Sequence, residues 1–272
     1  MNEFEKALDF TTDSLRKLSE TGSNLRGSRE SLRRLAAART VAPAPAVTPR
    51  LIADPVTPTP EVFKTAGATK LERIEQLRAA VAPCEKCPQL ARSRTQTVFG
   101  VGNIEARIMF VGEAPGADED LQGEPFVGKA GQLLTKIIET MGVKRADVFI
   151  ANVLKCRPDM PPGSSGNRRP TSAEMQTCLP YLRAQIEIIK PEVLVALGSV
   201  AMEGLLGSVE PMSRLRGRWH EFQGIPLMAT YHPAYLLRNQ SLGEKRKVWE
   251  DMLLVMERVG LPVSEKQRGY FL

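Results

Sequence analysis

Four short apolar runs mark the middle of the chain: Ala106 to Val111, Val148 to Ala151, Val193 to Leu197 and Pro226 to Ala229. Each is too short for a buried helix and is followed by glycine or polar residues, which predicts a buried strand. Helical periodicity intervenes over Gly131 to Met141, Ser172 to Ile189 and Ser199 to Leu206, and returns over Lys245 to Val259. Strands alternating with helices predict an α/β fold whose parallel sheet is covered on both faces. Ligands of such sheets sit beyond the carboxyl ends of the strands. The segments that follow the strands are GEAPG at 112–116, Asn152 in ANVLKC, GSVA at 198–201 and YHPA at 231–234, and they are expected to line one cleft.

The stretch from Ile108 to Leu134 combines the end of the first strand, a loop rich in glycine and carboxylates, and the start of a helix. Gly112, Gly116, Gly123 and Gly128 permit close backbone approach, whereas Pro115 and Pro125 stiffen the loop. A stiff loop presents Glu113 and Phe126 in fixed places. The plainer alternative is an acidic surface loop with a core phenylalanine. On either reading Asp118, Glu119 and Asp120 are expected to be loop and cap residues.

The flanks differ in character. Residues 1–40 read as a partly helical arm, with Phe4, Ala7, Leu8, Leu15 and Leu18 at near-helical spacing. Residues 41–65 form a Pro/Ala-rich linker that cannot build a core. Leu71 to Val81 reads as an amphipathic helix leading into Cys84, and residues 263–272 form a C-terminal tail.

The 272 residues carry a net charge of +6, which serves solubility or an anionic partner such as nucleic acid. No apolar run approaches the roughly 18 residues of a membrane span, so a cytoplasmic, nucleoid-associated protein is expected. Four cysteines in a reducing compartment argue against disulfides. Cys84 and Cys87 form a CxxC, while Cys156 and Cys178 stand apart; four thiolates suit zinc or an iron-sulfur cluster equally well by spacing. Gly123 to Lys129 has the glycine-lysine spacing of a phosphate-binding P-loop, but Ala130 replaces the required hydroxyl and no apolar strand precedes Gly123.

Together, GEAPGADED, GEPFVGKAGQLL, NVLKCRP, NRRPT and YHPAYLLRN, in this order and with four cysteines, resemble the family 4 uracil-DNA glycosylases. The resemblance spans about Cys84 to Gly260, inside a domain read as residues 66–262. It implies a three-layer sandwich around a central four-stranded parallel sheet, a 4Fe-4S cluster on Cys84, Cys87, Cys156 and Cys178, and hydrolytic removal of uracil from single- or double-stranded DNA. The segment between Cys156 and Cys178 is longer than the family spacing, through MPPGSSG. A related branch that attaches covalently to DNA carries an Arg-rich insert and an extra histidine; this chain has only His220 and His232 and no such insert, so ordinary turnover is expected.

On this reading Gly112, Ala114, Phe126 and Asn152 form the base pocket, with Phe126 as the stacking face. The Asn152 amide accepts from uracil N3-H and donates to O4, groups that cytosine reverses. His232, just before Pro233, stabilises negative charge on the departing base. Glu113 positions water or stabilises the sugar cation, and Asn167 is a second residue for ordering water. Ser199, Arg168 and Arg169 suit phosphates, and Tyr235, Leu236, Leu237 and Arg238 lie where apolar side chains could press into the duplex. The terminal QRGYFL is similar to peptides that dock on sliding clamps. The protein is expected to be a monomer. Competing classes are a non-catalytic iron-sulfur or zinc module that binds nucleic acid and an electron-transfer protein.

Overall fold

The computed structural model describes residues 63–158, 160 and 166–272, which fall in the unit Pro58–Leu272. The N-terminal arm, and the linker before Phe63, lie outside the described residues. The six strands are β1 (Val101–Gly102), β2 (Ile108–Gly112), β3 (Phe149–Asn152), β4 (Val193–Leu197), β5 (Trp219–Phe222) and β6 (Ile225–Thr230). They form one sheet in the order β1-β3-β2-β4-β6-β5. Its four inner strands are the four predicted from apolar runs, and they are mutually parallel.

The expected four-stranded sheet is corrected at both edges, where β1 pairs antiparallel with β3 and β5 with β6. Neither edge has an apolar run. β1 has two residues, and β5 reads WHEF, with only Phe222 buried. Gln223 and Gly224, both at positive φ, make the two-residue turn from β5 to β6. That geometry matches the right-handed twist of a hairpin.

Burial on both faces explains the continuous apolar character of β2 and β4, in which every residue is buried. Successive side chains alternate between two cores. Met109, Val111, Leu194 and Ala196 pack with α1 (Lys70–Val81), α5 (Ser172–Ile189) and α6 (Ser199–Leu206). Ile108, Phe110, Val193 and Val195 pack with α4 (Lys129–Thr140) and α9 (Leu242–Arg258). The helices and the sheet thus make three layers.

Shorter helices complete the domain: α2 (Pro88–Ser93), α3 (Ala117–Gln122), α7 (Met212–Leu215), α8 (Pro233–Arg238) and α10 (Glu265–Arg268). The start of α5 shows how sequence fixes a boundary: Thr171 accepts from the Glu174 N–H while the Glu174 carboxylate accepts from the Thr171 N–H. This reciprocal cap satisfies two otherwise orphaned donors.

Candidate functional site

Parallel pairing brings chemistry to one rim. Gly112 is in register with Asn152, and Leu197 with Thr230, so the loops that follow β2, β3, β4 and β6 emerge side by side. β3 lies on one side of β2 and β4 on the other, which makes the β2/β4 junction the point where strand order reverses and a crevice opens. A cleft of about 490 Å³ sits there, and its walls include Glu113, Ala114, Asn167, Ser199, His232 and Arg238.

Phe126 and Asn152 are buried and do not line this cleft, but both adjoin it through neighbours. The Phe126 ring and the Asn152 amide occupy the space that a side chain on Gly112 would take. On its other side the Phe126 ring lies 5.5 Å from the His232 ring, tilted by 31°. Phe126, Asn152 and His232 therefore form one contiguous group. The amide oxygen of Asn152 is fully buried with no hydrogen-bond partner, an arrangement that costs free energy unless something else supplies a donor.

His232 caps α8, its Nδ1 accepting the Ala234 N–H at 3.1 Å. A ring that accepts at Nδ1 carries its proton at Nε2, which leaves a neutral imidazole with one N–H to donate. Burial pushes its pKa down to about 4, with a further contribution from Arg238. Behind it, the buried carboxylate of Asp251 accepts from Thr230 Oγ1 at 2.7 Å and from Arg216 at 2.8 and 3.1 Å, anchoring the end of β6. Tyr231 and Tyr235 stack with centroids 4.6 Å apart. This support was not visible in sequence, because Asp251 lies in the middle of an ordinary amphipathic helix.

Glu113 is half-buried, and desolvation raises its pKa above the ordinary carboxylate range; Arg169 opposes the rise and Glu203 adds to it. Arg169 and Glu203 are themselves an ion pair. Arg168 joins the same loop to α5 through Glu174, at 2.7 and 2.9 Å. The Glu174 carboxyl is held down near 2, chiefly by Arg168. These bonds bring Asn167 to the cleft wall.

Of the residues read as DNA contacts, Arg168, Ser199, Tyr235 and Arg238 line the cleft. Leu236 and Leu237 instead line a separate apolar groove of about 360 Å³ beside α4 and α9. Leu236 is 5% exposed and Leu237 39%, so only Leu237 is free to press into a duplex. In the tail, the Gln267 amide donates to the Thr140 carbonyl at 2.8 Å, and Tyr270 packs on Trp249. Phe271 and Leu272 are exposed.

Cys84, Cys87, Cys156 and Cys178, none of them in a disulfide, line one narrow cavity. Among the described residues, no group of three or more His, Cys, Asp or Glu side chains has the spacing of a single-metal site. Donors nevertheless face the sulfurs. Arg94 reaches Cys156 Sγ at 3.0 Å, the Lys155 N–H reaches Cys178 Sγ at 3.2 Å, and the Tyr181 hydroxyl reaches Cys84 Sγ at 3.4 Å. The buried Lys155 ammonium donates to Asn152 O at 2.9 Å and to Gln185 Oε1 at 2.6 Å. A sulfur set ringed by cationic and N–H donors suits thiolates that ligate a positively charged group. With the thiols alone, burial pushes Cys178 up to about 12 and also raises Cys87 and Cys156.

A three-layer α/β domain with a polar cleft at its strand-order reversal is what the rim defines. Residues 99–253 match the family described as the Uracil DNA glycosylase superfamily. The type-4 uracil-DNA glycosylase of Thermotoga maritima is 44% identical over 186 residues, covering 68% of this chain and 93% of that protein. The type-4 enzyme of Archaeoglobus fulgidus is 42% identical over 183 residues, 64% of this chain and 88% of that protein. A type-5 uracil-DNA glycosylase of Pyrobaculum aerophilum is less similar, 29% identical over 186 residues, 56% of this chain and 79% of its own length. The chain belongs to the uracil DNA glycosylase superfamily, and within it to the type-4 uracil-DNA glycosylases.

Proposed function

We propose that this protein hydrolyses the N-glycosidic bond of uracil in DNA, as the first step of base excision repair, with the uracil extruded toward the Phe126, Asn152 and His232 group. The observation that carries this assignment is the unpartnered, buried Asn152 oxygen beside an aromatic ring and a neutral histidine. Uracil N3-H supplies the donor that this oxygen lacks, and the amide NH₂ donates to O4. Cytosine presents the reverse pattern and leaves both groups unsatisfied. Phe126 stacks on the base, and the backbone of Gly112 and Ala114 closes the pocket around it.

Cleavage breaks the C1′–N1 bond, and its electron pair leaves with the uracil. The resulting charge at O2 is stabilised by the Nε2–H of His232, which needs no proton from solvent because the ring is neutral. A water oxygen then bonds to C1′ of the sugar cation and gives up a proton, the uracil anion takes up a proton, and the products are an abasic site and free uracil. Glu113, at the cleft wall, orients that water and stabilises the cation. Asn167 stands on the same wall as a second water ligand.

The four cysteines hold a 4Fe-4S cluster in this reading, supported by the shared cavity and the donors facing its sulfurs. The cluster supplies a cross-link between the segments that carry the cysteines. Its neighbourhood adjoins the pocket, since Lys155 bonds the Asn152 carbonyl and its own N–H meets Cys178.

Ser199, Tyr235 and Arg238 contact DNA phosphates along the cleft, and Leu237 fills the vacated space in the duplex. The enzyme acts as a monomer in the cytoplasm, at the nucleoid. The exposed Phe271 and Leu272 support docking of the tail on a sliding clamp, which also requires Gln267 to leave its bond to Thr140.

The test is release of free uracil from a uracil-containing oligonucleotide by the full chain, compared with Asn152→Ala and His232→Ala. Turnover by the parent and its loss in both variants is the expected result. Binding of the oligonucleotide with no base released would instead mark a non-catalytic nucleic-acid module. A brown visible absorption band would separate an iron-sulfur centre from zinc.

A further inference from the structure

Phe126 is one of four non-glycine residues at positive φ among the described residues, at 56°. An aromatic residue there is strained and persists only when its surroundings over-determine it. Two anchors hold its backbone. Before it, Arg145 donates to the Pro125 carbonyl at 2.6 Å. After it, the N–H groups of Val127 and Gly128 both donate to Glu119 Oε1, at 2.9 and 3.0 Å.

The other oxygen of the same carboxylate, Oε2, accepts from the Gly116 N–H at 3.0 Å. Glu119 is buried, so these three N–H donors supply solvation that water cannot. Gly116 lies three residues after Glu113, and Val127 directly follows Phe126. One side chain thus ties the loop that carries the cleft carboxylate to the loop that carries the ring. The neighbouring glycines make room for it: a Cβ on Gly116 would stand 2.6 Å from Glu119 Oε2, and one on Gly128 3.5 Å from Oε1 and 2.6 Å from Asp118 Oδ2.

We propose that Glu119 is the positioning residue for the base-stacking ring: by accepting the N–H groups of Gly116, Val127 and Gly128, it locks Phe126 in the left-handed conformation that sets its ring over Gly112, between Asn152 and His232. Glu119 acts through Phe126 and touches no substrate. The inference rests on the reading of Phe126 as the stacking surface.

The experiment is a double-mutant cycle on the full chain. Glu119→Ala, Phe126→Ala and the double variant are compared in kcat/KM on a uracil oligonucleotide, with Glu119→Gln as the conservative replacement. Loss of a buried acceptor for three donors predicts about a ten- to hundredfold fall for Glu119→Ala. In the Phe126→Ala background the same change should cost less than about threefold, because the ring it positions is gone. Glu119→Gln, whose carbonyl oxygen still accepts from Val127 and Gly128, should recover most of the activity. Equal losses in the two backgrounds would overturn the proposal and leave Glu119 a general prop.

A second measurement does not depend on catalysis. Amide hydrogen exchange at Val127 and Gly128 should accelerate in Glu119→Ala while protection of β2 and β4 is retained. Unchanged exchange there would also overturn the proposal, whatever the activity. A parent protein that releases no uracil would refute the stacking role and leave this exchange test to decide the anchoring.

Discussion

Phe126 and Asn152 meet over position 112: a Cβ built on Gly112 would stand 2.5 Å from Phe126 Cζ and 2.3 Å from Asn152 Oδ1. The absence of a side chain there is thus what allows the Phe126 ring and the Asn152 amide to converge. Gly112→Ala must displace one or both at an overpacking cost of about 1–3 kcal/mol. Uracil release should fall by about a hundredfold or more, while thermal melting shows a variant that still folds. Parent-like kinetics would mean that the two groups do not act together.

Asn152→Ala removes the amide edge that the proposed function assigns to reading the base. A site built to hydrogen-bond its ligand loses about 1–3 kcal/mol per missing partner, so kcat/KM for uracil should drop by at least about tenfold. Selection against cytosine should fall with it. The check is the ratio of the two rates on matched oligonucleotides, and a preserved ratio would place discrimination elsewhere.

His232 gives a pH signature in stability. Its folded pKa near 4 lies below the ordinary value of 6.5, so its contribution is fully present above pH 6.5 and is lost as pH falls through 4. Between pH 7 and 4.5 the parent should lose up to about 2 kcal/mol relative to His232→Gln, read from denaturant melts at both pH values. The same depression keeps the imidazole neutral throughout the working range, so no His232 titration should appear in activity between pH 6 and 8.

Under the proposed function Glu113 is expected to set the acid limb of the activity. Desolvation raises its pKa, so the ionised form is lost at a pH above that of an exposed glutamate. The parent should lose kcat/KM as pH falls into that range. Glu113→Gln should be slower by about tenfold or more and nearly flat across the same interval. A variant that keeps the limb would assign it to another group.

Cys178 lies within α5, whereas Cys156 follows β3 in the segment that leaves the pocket. Cys178→Ser should reduce bound iron and visible absorption together. Melting should fall by several degrees, as loss of a cross-link of a few kcal/mol implies. Parent-like iron content would exclude Cys178 as a ligand.

The inner strands were legible because residues buried on both faces must be apolar throughout, and that leaves an unbroken run such as IMFV in β2. Helices α5 and α6 were legible at their observed ends, since helical periodicity is a local property of the chain. Glu113, Asn152 and His232 could be singled out because each stands where an apolar run stops. The edge strands were not legible: two residues in β1 and a half-exposed WHEF in β5 carry no period that a window can detect.

The sequence by itself determined the α/β class, the inner strands and the residue types available at their ends, because each follows from the local order of apolar, polar and glycine positions. Only the tertiary structure decided that β3 and β4 flank β2, that Leu236 is covered while Leu237 is exposed, and that Glu119 rather than Glu113 holds the Phe126 loop. Those outcomes depend on which distant backbone donors and side chains share a volume. Nothing along the chain records that sharing until the strands are paired and the helices packed.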